Sequence, residues 1–248
     1  MRIFTNIPVS LCEYALVNQK INPLKLYIYL KLNSDGYILD NKELYSIWAK
    51  TIGISVKTIK SSLAWLIKNK WIIVNGKRNA LNVISYQKLL RKLKIKPQSG
   101  CFCRFKDCID FKKIKSLCSA IVITYYLNKR KYCLNRSERI KEGSITNREQ
   151  KGFYLLSNHY LAKCLRVSIS TAYRHKQKAK EAGYIEIKGN CQFIETKDGG
   201  YISKDSYSVF VNECMKEGLP NIYRKGRTYL KAIGSDLVRS NINLKTKR

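Results

Sequence analysis

Acidic residues are scarce in this chain. Asp and Glu number 17 against 48 Lys and Arg in 248 residues, a formal net charge of +31. Carboxylates so few and so scattered form no paired general acid/base motif and no cluster of the kind a metal-dependent nuclease needs. Histidine is scarcer still. His159 and His175 are the only two, and neither lies in an HxxxH pattern. A tyrosine-dependent DNA-nicking enzyme normally adds a histidine metal cluster, which two distant histidines cannot form, although 17 tyrosines are present. P-loop, HExxH and GxSxG motifs are missing as well, so the expected class is non-enzymatic, with no catalytic residue, no metal and no cofactor. No run of about 18 apolar residues occurs, so no membrane span and no membrane partner is expected. The opening MRIFTNIPVSLCEYALVNQK has no clean basic-then-apolar leader, and a cytoplasmic location is the expectation.

The cysteines, nine of them, suggest neither a disulfide framework nor a common zinc module. Their number is odd, and the one cluster, Cys101, Cys103 and Cys108 with Cys118 beyond it, has the spacing C-x-C-x4-C-x9-C. Reduced thiols are the expectation, and the cluster also overlaps what reads as a helix start.

Abundant basic charge points to a polyanionic partner. A fold does not need such an excess, which costs self-repulsion, whereas bound phosphates neutralise it and release counterions. Double-stranded DNA is the expected partner. The bland alternative is a solvated basic surface inflated by codon bias, since Lys, Asn and Ile are all frequent.

Along the chain, residues 1–20 read as an arm or first strand. Pro23 opens LKLYIYLKLN, a first helix with Leu24, Tyr27, Ile28 and Leu32 on its stripe. DNKELYSIWAKTIG reads as a second helix broken at Gly53, and Ser55 caps a third, VKTIKSSLAWLIKNK. WIIVNGKRNALNVISY then reads as two β-runs about an Asn75-Gly76-Lys77-Arg78-Asn79 turn. The expected domains are 1–93, a basic linker 94–110, a second domain 111–212 with a long surface loop at 130–152, and a basic tail 213–248. In the second domain the expected order repeats: helix from Phe111, helix capped near Ser157, turn at Arg166-Val167-Ser168, helix 169–182, strand YIEIKG, wing at Asp198-Gly199-Gly200, strand SYSVFV.

Two stretches carry the functional argument. Residues 49–72, AKTIGISVKTIKSSLAWLIKNKWI, align with residues 162–185, AKCLRVSISTAYRHKQKAKEAGYI, without a gap. Ala49 and Ala162 permit a close helix crossing; Ile52 and Leu165 fill the core. Ile54 and Val167 plug a turn; Ser55 and Ser168 cap the next helix. Generic amphipathic helices do not need plug and cap in register. The second copy departs at Lys176, which stands where Leu63 does, and at Ala172 and Ala179, which replace Ile59 and Leu66. Its third helix is therefore expected to pack loosely or to be committed to phosphate.

A helix entering the major groove presents its N-terminal half to base edges. The first copy offers Lys57, Thr58, Lys60 and Ser61 there; the second offers Ser170, Thr171, Tyr173, Arg174 and His175, with Lys178 following. Arg174 is the best candidate for bidentate guanine contact. Lys57 and Lys60 suit phosphate. Lys77 and Arg78 at the first wing tip suit phosphate or a narrow minor groove; Lys188 and Lys197 are weaker wing candidates.

These residues resemble the winged-helix superfamily over about 20–93 and 111–212. The resemblance implies a mostly α fold with small β-wings (α+β), two winged-helix domains in tandem. Two dissimilar winged helices with a basic linker are similar to the replication initiators of plasmids and phages and to helix-turn-helix transcription regulators. The implied role is sequence-specific reading of double-stranded DNA in transcription control or DNA replication of a phage or mobile element, in a bacterial cell or host. The alternatives are a non-specific DNA-coating protein packaged in a virion, and an RNA-binding or protein-scaffolding winged helix. A homodimer is compatible with this reading but unneeded, because one chain carries two readers.

Overall fold

The computed structural model describes residues 4–34, 36–96, 99–104, 111–138, 152–189, 191–194, 222–225, 228–232 and 235–245. The fold is mixed α+β, with small antiparallel sheets set among helices.

The expected arm is a strand followed by a helix, β1 (Phe4–Pro8) and α1 (Val9–Val17). Then come α2 (Ile21–Leu32), β2 (Tyr37–Leu39), α3 (Leu44–Ile52), α4 (Val56–Lys68), β3 (Ile72–Asn75) and β4 (Ala80–Val83). A 3-10 turn, Gly76–Arg78, joins the last two strands, and Asn79 closes it in the left-handed region at φ 44°. The sheet order is β2-β4-β3, with Ile72 opposite Val83 and Tyr37 opposite Asn82. Its inner face covers α2 and α4. An aromatic cluster fills this unit: Trp71 is wholly buried, edge-on to Tyr27 at 5.4 Å and to Trp65 at 5.3 Å. Tyr27 Oη donates to the Ile84 carbonyl at 2.7 Å.

Beyond α5 (Tyr86–Lys92), the segment expected to be a linker contributes β5 (Gly100–Arg104). The CFC cluster therefore lies on a strand and not at a helix start. Alternation explains it: Cys101 and Cys103 turn inward while Phe102 is exposed. Helix α6 (Ile114–Glu138) is longer than expected and takes up the first part of the supposed surface loop; residues 139–151 lie outside the described residues.

The second unit repeats the order of the first: α6, β6 (Tyr154–Leu155), α7 (Asn158–Leu165), α8 (Ile169–Glu181), β7 (Ile185–Lys188) and a closing strand. That strand is β11 (Leu237–Ser240), and the sheet order is β6-β11-β7, the counterpart of β2-β4-β3. The expected partner SYSVFV lies outside the described residues, as do Lys197 and the Asp198-Gly199-Gly200 turn. Between β7 and β11 the chain makes a separate antiparallel sheet of β8 (Cys191–Ile194), β9 (Ile222–Lys225) and β10 (Thr228–Ala232), in the order β8-β10-β9. The stretch expected as a tail thus supplies strands.

A fourth sheet ties the chain together. β5 lies between β1 and β12 (Leu244–Lys245), with Ile7 opposite Cys101 and Leu244 opposite Cys101 on the other side. Helix α6 packs against α1 and α8, and Tyr126 Oη on it donates to Glu13 Oε1 of α1 at 2.8 Å. One continuous set of buried apolar residues therefore runs from Ile7 to Val238.

Candidate nucleic-acid interface

The site is built on two turns of the same geometry. After α3 the chain enters the left-handed region at Gly53 (φ 67°, ψ 47°); after α7 it does so at Arg166 (φ 53°, ψ 44°). The following amide in each copy, Ile54 or Val167, donates to the carbonyl of Ala49 or Ala162 at 3.1 Å. Ser55 Oγ then accepts from the Thr58 amide at 3.1 Å, and Ser168 Oγ from the Thr171 amide at 3.2 Å. Each cap satisfies one of the free N–H groups of a helix start.

These caps relocate two of the expected base readers. The Thr58 hydroxyl lies 2.8 Å from Ser55 Oγ and the Thr171 hydroxyl 2.9 Å from Ser168 Oγ, so both belong to the caps. Lys57, Lys60 and Ser61 are exposed on the first half of α4. Arg78 is exposed in the turn between β3 and β4, and Lys77 falls within that turn. On α8, Ser170, Tyr173, Arg174 and Lys178 are exposed. Arg174 folds back along its own helix, donating from Nη2 to Thr171 Oγ1 at 3.3 Å. Lys188 is exposed and lies over the Phe153 ring at 4.5 Å, which makes it partly a structural cation.

His175 is a correction. It is buried, 6% exposed, with Nδ1 3.0 Å from Ser119 Oγ. Ser119 gives its single hydroxyl proton to the Lys115 carbonyl at 2.9 Å, so Nδ1 carries the hydrogen and donates. Burial, and then the charges of Lys115, Lys178 and Arg174, push its pKa down to about 4. A neutral, buried imidazole is a core member and not a base reader.

Lys176 is the second correction. It neither loosens α8 nor faces phosphate. Its side chain is wholly buried, and Nζ donates to Asp236 Oδ2 at 2.8 Å and to the Leu156 carbonyl at 3.0 Å. An ammonium can sit there only because both partners are present.

Two residues that sequence reasoning passed over occupy the first position of each helix. Val56 is 38% exposed and Ile169 52%. A β-branched apolar residue left in solvent at the same place in both copies, at the start of a helix that exposes Lys57 and Lys60 in one copy and Ser170 and Arg174 in the other, has the chemistry of a thymine-methyl contact. The signal was legible as a repeated apolar residue directly after the capping serine.

The thiols gather in the core. Cys101 and Cys103 of β5, Cys12 of α1 and Cys118 of α6 are buried and free. Burial pushes the Cys12 thiol well up, with a hydrogen bond to Cys118 adding to it; a hydrogen bond from Cys103 lowers Cys101. Among the described residues no group of three or more His, Cys, Asp or Glu side chains is arranged to hold a metal ion. Cys108 lies outside the described residues. Among these residues, too, no helix is long and apolar enough to cross a membrane.

Comparison with protein-family models, with curated proteins and with solved structures returns no match to this chain.

Proposed function

We propose that this chain is a sequence-specific double-stranded DNA-binding protein made of two winged helices, acting in transcription control or replication initiation. One observation carries the reading: the same turn, plug and cap recur at residues n and n + 113, each followed by a helix whose exposed first half is basic and polar. Each helix is followed by a strand of a three-stranded sheet with the same order, which supports a wing on each. In this reading Val56, Lys57, Lys60 and Ser61 face bases or phosphates in one half-site, and Ile169, Ser170, Tyr173 and Arg174 in the other. Lys77 and Arg78 track the neighbouring backbone, and the net charge of +31 supplies the salt-dependent share of affinity.

The test is selection from a random duplex pool by the purified chain at near-physiological salt. An enriched motif is the expected result, and Arg174→Ala should relax it at one base pair at a cost of about 1–3 kcal/mol. Binding without enrichment, with a steep salt slope untouched by any single substitution, overturns specificity in favour of DNA coating, a reading the excess of charge alone would support.

A further inference from the structure

A cavity of about 480 Å³ lies beside α8, between it and the corner where α1 turns into α2. That volume is in the range of small-molecule sites, roughly 300–1,000 Å³. One wall is cationic. Thr171, Arg174 and Lys178 fall at i, i+3 and i+7 on α8 and so share a stripe, and Lys115 reaches the same space from the first turn of α6. Among the described residues no carboxylate lines it. These cations feel one another: burial, then the charges of Lys178 and Arg174, lower the pKa of Lys115. The opposite wall is apolar, made by Leu16, Val17 and Ile21, and Val17 there is 37% exposed. Gln19 and Asn22 add side-chain amides able to donate and accept.

Three cations lining one cleft with no counter-carboxylate among the described residues favour an anion there, and a phosphate monoester or diester suits forked and point donors together. An apolar wall with two amides across from them suits a flat, hydrogen-bonding heterocycle. We infer that this cleft binds a nucleotide, with its phosphate held by Lys115, Arg174 and Lys178 and its base laid against the α1–α2 corner. Arg174 and Lys178 belong to the helix expected to read DNA, so the inference shares that helix with the proposed function, and Lys115, which lies outside it on α6, is the residue that tells the two apart. A nucleotide can come free in solution or as one unit of a nucleic-acid strand, and the chemistry at the phosphate is the same.

The experiment uses the full chain and its Lys115→Ala and Lys115→Arg variants, each checked for unchanged circular dichroism. Calorimetric titration is run with nucleoside mono- and triphosphates and with inorganic phosphate, and salt-dependent affinity is measured on duplex DNA. Nucleotide binding that Lys115→Ala weakens at least tenfold and Lys115→Arg restores is the expected result, and it assigns the free ligand. Absence of nucleotide binding, together with a loss of duplex affinity in Lys115→Ala and a salt slope lower by about one, keeps the site and assigns its phosphate to the strand. If Lys115→Ala leaves both nucleotide and duplex affinity unchanged, the inference is overturned, whether or not the chain binds DNA. Nucleotide binding without duplex binding would keep the cleft and remove the DNA reading.

Discussion

The two copies of the helix–turn–helix segment solve one packing problem with opposite chemistry. At the position where α4 buries Leu63 against its unit's core, α8 buries Lys176. The first unit stabilises its third helix by apolar transfer and an aromatic cluster around Trp71. The second uses an ammonium neutralised by Asp236, a residue that arrives from the far end of the chain just before β11. The same exchange occurs in the backbone. The turn residue is Gly53 in one copy and Arg166 in the other, and the residue ending the third helix is Lys70 in one and Gly183 in the other, all with positive φ. What the copies share is therefore backbone geometry and capping, and the side chains that satisfy it are free to differ.

Swapping the core residues should give the largest effect. Leu63→Lys places an unpaired ammonium in the first unit and should cost about 3–5 kcal/mol in urea denaturation, whereas Lys176→Leu leaves the partly exposed Asp236 carboxylate without its partner and should cost less, about 1–2 kcal/mol. Asp236→Ala is expected to cost about 2 kcal/mol, the low side for a broken buried pair, because the Asp236 side chain is 38% exposed. Combined with Lys176→Leu, it should cost almost nothing, and a double-mutant cycle reads that coupling.

Acid should separate the copies next, since only the second carries a buried histidine. His175 has a folded pKa of about 4, below the usual unfolded value near 6.5. The unfolded chain therefore binds its proton first. The stability that neutral His175 contributes is complete above pH 6.5 and is lost as the pH falls from there towards 4. Denaturation midpoints across that window should fall more steeply in the parent than in His175→Gln.

The caps should behave alike. Ser55→Ala and Ser168→Ala should each cost about 1 kcal/mol, and unequal losses would mean the two turns are not equivalent. The smallest effect expected is at the helix ends. In α4 the Lys70 amide donates to Ile67 and the Trp71 amide to Leu66, the pairing usually built on glycine. Lys70→Gly should raise stability by about 0.5–1 kcal/mol, and Gly183→Lys should lower it by a similar amount in thermal melts.

The sequence disclosed what is local. Plug, cap and turn lie within a few residues of one another, so the aligned stretches revealed both turns and the face carrying Lys57, Lys60, Ser170 and Arg174. What it hid depends on partners far along the chain. Lys176 reads as a surface cation until Asp236, 60 residues later, is beside it. His175 reads as a base reader until Ser119, 56 residues earlier, is found against its ring. The CFC stretch reads as a basic linker because its neighbours Thr5 and Leu244 are about a hundred residues or more away. The strand that pairs with β7 in the second sheet, β11, comes about fifty residues later in the chain, after a further sheet has been built, a separation no local pattern reveals.

The sheet of β1, β5 and β12 has a kinetic side. Its middle strand pairs with residues near 5 on one edge and near 244 on the other, so its closure is among the least local events in the molecule. Loop entropy must be met before such pairings gain anything. During synthesis the first unit can complete its own core early, while β5 keeps one edge open until residue 244 has emerged. An unpaired edge carrying the exposed Phe102 is, for that interval, a template for another strand.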